Sequence, residues 1–208
     1  MGHFRAYSST KLPTKWGDFE TTVYRDEQGI EHIAITLGLA VGELDPKGGT
    51  LVRIHSACFT SEVIGSLKCE CREQLEYALK TIQSKGRGAV VYLFQEGRGI
   101  GLGAKIKAYS LQEKGRDTVD ANTDLGYAED ARTYEDAIAI LRDLGIEKVR
   151  LLTNNPDKVD ALVKAGFQQV TRASIEVGLN SLNRDYLLVK RDRMGHLFDE
   201  LLKPDDEL

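Results

Sequence analysis

The chain has 208 residues, 41% of them hydrophobic and 29% charged, with a formal net charge of −4. That length and composition suit a soluble globular protein with a real core, and the mildly acidic balance excludes the basic footprint of a nucleic-acid binder. No apolar run has membrane-spanning length and the first residues carry no hydrophobic signal core, so the expectation is a cytoplasmic protein with no membrane partner.

Up to about Arg53 the apolar runs are short and strand-like, TTVYRD, HIAITLGLAV and TLVRIH, separated by the turn-rich DEQGIEH and ELDPKGG. They predict an antiparallel, strand-rich front. After Cys71 the texture changes: Leu75, Ala78, Leu79 and Ile82 recur at helical spacing until SKGRG ends the helix. Residues 89–94 follow as a buried strand, and AKIKAYSLQEKG as a helix. Thr133 and Asp136 make a capping box for the helix YEDAIAILRDLG, and KVRLLT is the next strand. Pro156 and Gly166 bracket a helix over DKVDALVKA, and LLVKRD reads as a last strand before a C-terminal helix. The fold class is therefore α/β with α+β character: a strand-rich N-terminal part, then βα alternation, in a single compact domain over residues 1–208.

Every cysteine falls in one segment, as Cys58, Cys69 and Cys71. A disulfide would be unusual in a cytosolic protein and would leave one thiol over. Three unrelated buried cysteines would not be confined to one stretch. Thiolates cluster this way to hold zinc, and three protein ligands leave the fourth position open for water or substrate, the catalytic pattern. His55 is the alternative fourth ligand, which would make the site structural. Against it, LVRIHSAC reads as a strand, where residues three apart point to opposite faces. Three thiolates donate more charge than three imidazoles, so such a zinc would be a weak Lewis acid in want of a general base.

In FQEGRGIGLGAKIKAY, glycines 97, 99, 101 and 103 lie between a strand and a helix, where backbone N–H groups can approach a phosphate. Neither a dinucleotide fingerprint nor a P-loop is satisfied. A plain turn needing positive φ is the alternative, but Glu96 and Arg98 within the loop suit an amine-bearing ring and an oxyanion. Asp130 and Arg132 are close in sequence within a polar stretch, and Thr153, Asn154 and Asn155 end a strand just before a helix whose first turn holds Lys158. Ligands of α/β sheets sit at such strand ends. A solvated ion pair and a simple N-cap turn are the bland alternatives.

Together these stretches resemble one family, GTP cyclohydrolase II, the enzymes that open the route to riboflavin. The matching strings are KLPTKWGDF, RIHSAC, SLKCEC, QEGRGIGL, KIKAYSLQ, DTVDAN, LGYAEDAR and RLLTNNPDK, with Asn180, Asn183, Tyr186, Leu187, Lys190, Gly195 and His196 near the end. The resemblance implies a zinc ion on Cys58, Cys69 and Cys71 that activates water against C8 of guanine. The ring opens, the carbon leaves as formate, pyrophosphate is removed with Mg²⁺ assisting, and the product is 2,5-diamino-6-(5-phospho-ribosylamino)pyrimidin-4(3H)-one. The family's GTP contacts fall on Arg53, Ile54, His55, Ser56, Ala57, Gln74, Glu96, Gly97, Arg98, Thr118, Thr153 and Lys158. Its proton acceptor falls on Asp130, its nucleophile towards the α-phosphate on Arg132, and Tyr109 matches the tyrosine that completes ring opening. Guanidinium is rarely nucleophilic, and Arg132 would more ordinarily stabilise phosphoryl charge. A homodimer is implied as well.

Five positions depart from the family's usual pattern: Ala57 stands in place of an acid, Glu70 of an aspartate, Arg72 of a glycine, Phe94 of an arginine and Arg116 of a tyrosine. Losing an acid and gaining an arginine beside the metal would make the site more positive. Two alternatives to a GTP cyclohydrolase II follow. One is a paralogue acting on another purine-like nucleotide or stopping at a formylated intermediate. The other is a zinc-stabilised nucleotide-binding module without turnover, which would have no chemical need of Asp130, Arg132 and Tyr109.

Overall fold

A computed structural model of the chain describes residues 5–39, 46–113, 124–128, 130–198 and 201. Seven strands form one sheet in the order β1-β2-β3-β5-β4-β6-β7. β1 (Arg5–Thr14), β2 (Gly17–Arg25) and β3 (Glu31–Leu37) make an antiparallel meander, and β3 pairs antiparallel with β5 (Gly88–Leu93). From there the sheet is parallel: β5 with β4 (Thr50–Ser56), β4 with β6 (Lys148–Leu152), and β6 with β7 (Gln169–Ala173).

The short helix α1 (Phe59–Glu62) and α2 (Cys71–Lys85) follow β4, and α3 (Leu102–Gln112) follows β5. Next come α4 (Glu135–Asp143), α5 (Pro156–Lys164) and α6 (Arg184–Met194). Strand alternation sends Val52, Ile54, Val91 and Leu93 into one core with Ile140 and Leu141 of α4 and Leu162 of α5. Leu51 and Val90 join Ala78, Leu79 and Ile82 of α2 in a second core on the other face. Each fully buried Leu or Ile there contributes ~1.5–3 kcal/mol. Gly86, in the left-handed region at the end of α2, stops that helix where SKGRG placed its end.

The strand-rich front and the βα alternation are both present, with four corrections. β4 belongs to the parallel half, which is why six of its seven residues are buried rather than alternating. β1 and β7 escaped the sequence reading. β1 is exposed along its whole length, so it has no apolar period and owes its conformation to pairing with β2. LLVKRD is not a strand but the middle of α6, whose one buried residue, Leu187, comes from that run. The capping box does not form: α4 starts at Glu135 with no side-chain cap, while the Asp136 carboxylate turns to His32 Nε2 at 3.3 Å. Asn155 does cap α5, accepting from the Asp157 N–H at 2.8 Å. No helix among the described residues is long and apolar enough to cross a membrane.

Candidate active site

The carboxyl ends of β4, β5 and β6 open into one pocket, roofed in part by α6 and the residues after it. Its distinctive wall is sulfur. Cys58 follows β4, Cys69 precedes α2 and Cys71 begins it, and their Sγ atoms lie within 4.8 Å of one another. Cys58 is held well below the usual thiol range by hydrogen bonds with Cys69 and Cys71 and by the Lys105 ammonium. The Cys58 hydrogen bond, with burial, pushes Cys69 up to about 11, and hydrogen bonds with Cys58 and Cys69, with burial, raise Cys71 well above the usual thiol range. A cluster that can shed one proton easily but not three fits a thiophilic dication, which lets all three ionise together.

His55 does not join the sulfurs. Its Nε2 is engaged by Glu62 Oε1 at 2.8 Å, Tyr92 donates to Glu62 Oε2 at 2.6 Å, and the His55 ring stacks on Tyr92. Burial lowers its pKa, so the ring lines the pocket uncharged. A second group of metal-type ligands, Asp26, His32 and Asp136, lies apart from this pocket. There the Phe94 N–H donates to His32 Nδ1 at 3.1 Å, which puts the ring proton on Nε2 facing Asp136. Neither ring nitrogen then keeps a lone pair for a metal.

Cations gather in the same pocket. Arg53 points from β4 with its guanidinium on the Leu152 carbonyl and Gln74 Oε1, and burial pulls its pKa down to about 10. Lys158 is buried with Nζ on the Ile54 carbonyl at 2.9 Å. Burial, reinforced by Arg53 and Arg132, holds it well below the usual lysine range, a cost that a bound anion would offset. Arg132 is clamped by Asp130, with Nε 2.9 and 3.1 Å from the two carboxylate oxygens and Nη2 also donating. Burial opposes its charge, but the Asp130 hydrogen bonds outweigh it and keep Arg132 protonated. Burial would raise Asp130, yet Arg132 holds it below the usual carboxylate range, which makes it a weak base while so paired. Arg132 lines the pocket, and the pair is only partly exposed, at 13% for Arg132 and 22% for Asp130.

The glycine loop is a tight turn as much as an anion cradle. Gly97 and Arg98 both take left-handed backbone, and a Cβ on Gly99 would stand 2.8 Å from the Ala131 carbonyl oxygen. Arg98, strained in this way, donates to the Tyr186 hydroxyl at 3.3 Å. Glu96 accepts from the Phe59 N–H at 2.6 Å, the Gly97 N–H at 2.8 Å and Lys105 at 2.8 Å. Both of its oxygens are therefore already engaged.

Ser56, Ala57, Gln74, Tyr109 and Thr153 also line the pocket. Burial raises the Tyr109 hydroxyl, leaving it a proton donor. Ile54 does not: its side chain is fully buried in the core, and only its carbonyl is used, by Lys158. Thr118 and Arg116 fall outside the described residues. Arg72 turns away from the pocket, donating to the Glu62 carbonyl at 3.1 Å, and Phe94 is half-exposed against Tyr92. The Arg72 guanidinium is thus directed at the carbonyl end of the α1 turn rather than into the pocket. Sequence reasoning assigned no role to Lys105, Glu70 or Lys190. Glu70, buried between two cysteines, accepts from Lys190 at 2.5 Å and from Gln74 at 3.3 Å, tying α6 to the metal-type loop. The signal available was an acid wedged in Cys-x-Cys.

A family model for GTP cyclohydrolase II matches residues 5–174. GTP cyclohydrolase-2 of Neisseria meningitidis serogroup A is 48% identical over 193 residues, covering 93% of this chain and 96% of that one. GTP cyclohydrolase-2 of Acinetobacter baylyi is 46% identical over 194 residues, again 93% and 96%. Riboflavin biosynthesis protein RibBA of Aquifex aeolicus is 48% identical over 193 residues, which is 92% of this chain and 47% of that protein.

Proposed function

The chain belongs to the GTP cyclohydrolase II family, and from its site we propose a zinc-dependent hydrolase of riboflavin biosynthesis that opens the imidazole ring of GTP. The products are formate, pyrophosphate and 2,5-diamino-6-(5-phospho-ribosylamino)pyrimidin-4(3H)-one. The observation that carries the reading is one pocket holding both a three-cysteine cluster and three basic side chains, the buried Arg53 and Lys158 and the partly buried Arg132.

Cys58, Cys69 and Cys71 would hold the zinc, which would supply a Lewis acid to activate water for attack at C8. Lys158, Arg53 and Arg132 bind the triphosphate side, with Mg²⁺ accompanying the phosphates. Arg132, protonated and fixed by Asp130, acts as an electrostatic stabiliser of the phosphoryl group rather than a nucleophile. Asp130 orients Arg132, and it becomes a proton acceptor only by leaving that pair. Tyr109 donates a proton or hydrogen bond next to the cluster. His55, uncharged and held by Glu62, walls the base end. Water opens the ring, water releases the formyl carbon, and a further water divides the α- from the β-phosphate.

Two departures that favoured a paralogue, Arg72 and Phe94, point away from the pocket, and this supports GTP over another purine. A homodimer is part of the proposal, with the exposed β1 edge as a surface a partner could cover. Incubation with GTP, followed by assay of formate, pyrophosphate and the pyrimidine, tests the reading. Pyrophosphate without formate, or no turnover, would sink it.

A further inference from the structure

Lys105 has no part in the scheme above, yet it is built into the sulfur cluster. Its ammonium donates to Cys58 Sγ at 3.1 Å and to Glu96 Oε1 at 2.8 Å. The second acceptor is itself pinned, because Glu96 Oε2 accepts from the Phe59 N–H at 2.6 Å and Oε1 from the Gly97 N–H at 2.8 Å. The lysine stem lies against Gly97, where an added Cβ would come within 3.1 Å of Lys105 Cβ. Gly97 and Glu96 together aim one side chain of α3 at one sulfur. The Lys105 side chain is only 13% exposed, so water screens the contact weakly.

We propose that Lys105 is a positioning residue of the metal centre: it gives a charge-assisted hydrogen bond to the Cys58 thiolate and draws electron density from that ligand. The inference rests on the three-cysteine metal reading. Three thiolates around a dication carry a net negative charge and make a poor electrophile. An ammonium in hydrogen-bond contact with a sulfur removes part of what that sulfur donates to the metal, and partners of this kind orient their ligand as well. Among the described residues, Cys58 is the sulfur that receives a charged donor, so the three ligands are not equivalent.

The test uses cobalt(II) in place of zinc and compares wild type with K105M, K105R and K105Q by absorption spectroscopy, with formate kinetics on the zinc forms. In the wild type, sulfur-to-cobalt charge-transfer bands are expected in the near ultraviolet. K105M should move them to longer wavelength and lower kcat about ten- to a hundredfold with little change in KM. K105R should keep the wild-type position. A folded K105M that no longer takes up cobalt also supports the proposal. Should K105M not fold, K105Q decides: an intermediate shift supports the inference, and coincidence with wild type overturns it. Fully loaded K105M with unmoved bands overturns it too. Absence of sulfur bands from wild type would instead refute the metal reading itself.

Discussion

The two halves of the sheet are built differently. In the antiparallel arm, all ten residues of β1 are exposed and β2 buries only Phe19 and Tyr24. In the parallel half, β4 is buried on both faces, and the segments leaving its end and those of β5 and β6 supply the pocket. The arm is a ladder of backbone hydrogen bonds with few side chains committed to it. The parallel half is clamped between helices, so its strand ends are stiff enough to aim Arg53, Cys58 and Glu96 at one place. Rigidity and chemistry coincide there, and they leave the arm free for other uses.

That contrast can be broken most severely at the sulfurs. Cys69→Ser is expected to reduce formate release to background while the chain stays folded by circular dichroism. Retained formate release would move the chemistry elsewhere. Arg132→Met should lower pyrophosphate release by about 10²–10³-fold, the scale for losing a preorganised charge stabiliser, with a smaller loss in ring opening. Equal losses at both ends would mean that the two chemistries are not separable.

Glu96→Gln sharpens the account further. The expected loss is about ten- to a hundredfold in kcat/KM. Because Glu96 already accepts from Phe59, Gly97 and Lys105, GTP and its analogue lacking the exocyclic amine should suffer alike. A loss confined to GTP would make Glu96 a reader of the guanine edge.

Lys158→Met should separate function from stability. It abolishes phosphate-side binding yet stabilises the free protein by about 1 kcal/mol, or ~2–4 °C in Tm. The sign follows from burial: with its pKa depressed in the folded state, Lys158 binds its proton more readily when unfolded. Free-protein stability therefore rises with pH from that depressed value up to the ordinary 10.5, and the variant should lose that slope. The smallest effect belongs to the arm. Leu12→Ala, at an exposed position of β1, should change monomer stability by under ~0.5 kcal/mol. A concentration-dependent loss larger than that would show the arm covered by a second copy.

What the sequence displayed and what it hid divide along physical lines. Periodicity found α2 and the buried strands because burial writes an apolar pattern, and the bracket of Pro156 and Gly166 found α5. It could not find β1, which buries nothing, or identify α6 as a helix, since its one apolar run, LLV, is shorter than a helical repeat. Cysteine confinement pointed to the metal-type cluster, and the resemblance marked most of the pocket. The contacts between elements were invisible. Lys105 on Cys58, Lys190 on Glu70, and Arg72 turned into the α1 turn are set by how helices dock, which no local pattern encodes. Ile54 illustrates the converse: its place in a functional string reflects its carbonyl, not its side chain.

The central claim, that a metal on three cysteines at the end of β4 carries the ring-opening step, is tested most directly by formate release from GTP. The purified protein is stripped with a chelator and titrated with zinc. Formate release should vanish on stripping and return in proportion to bound zinc up to one ion per chain. Full activity in metal-free protein, or stoichiometric zinc that restores none, would contradict the account.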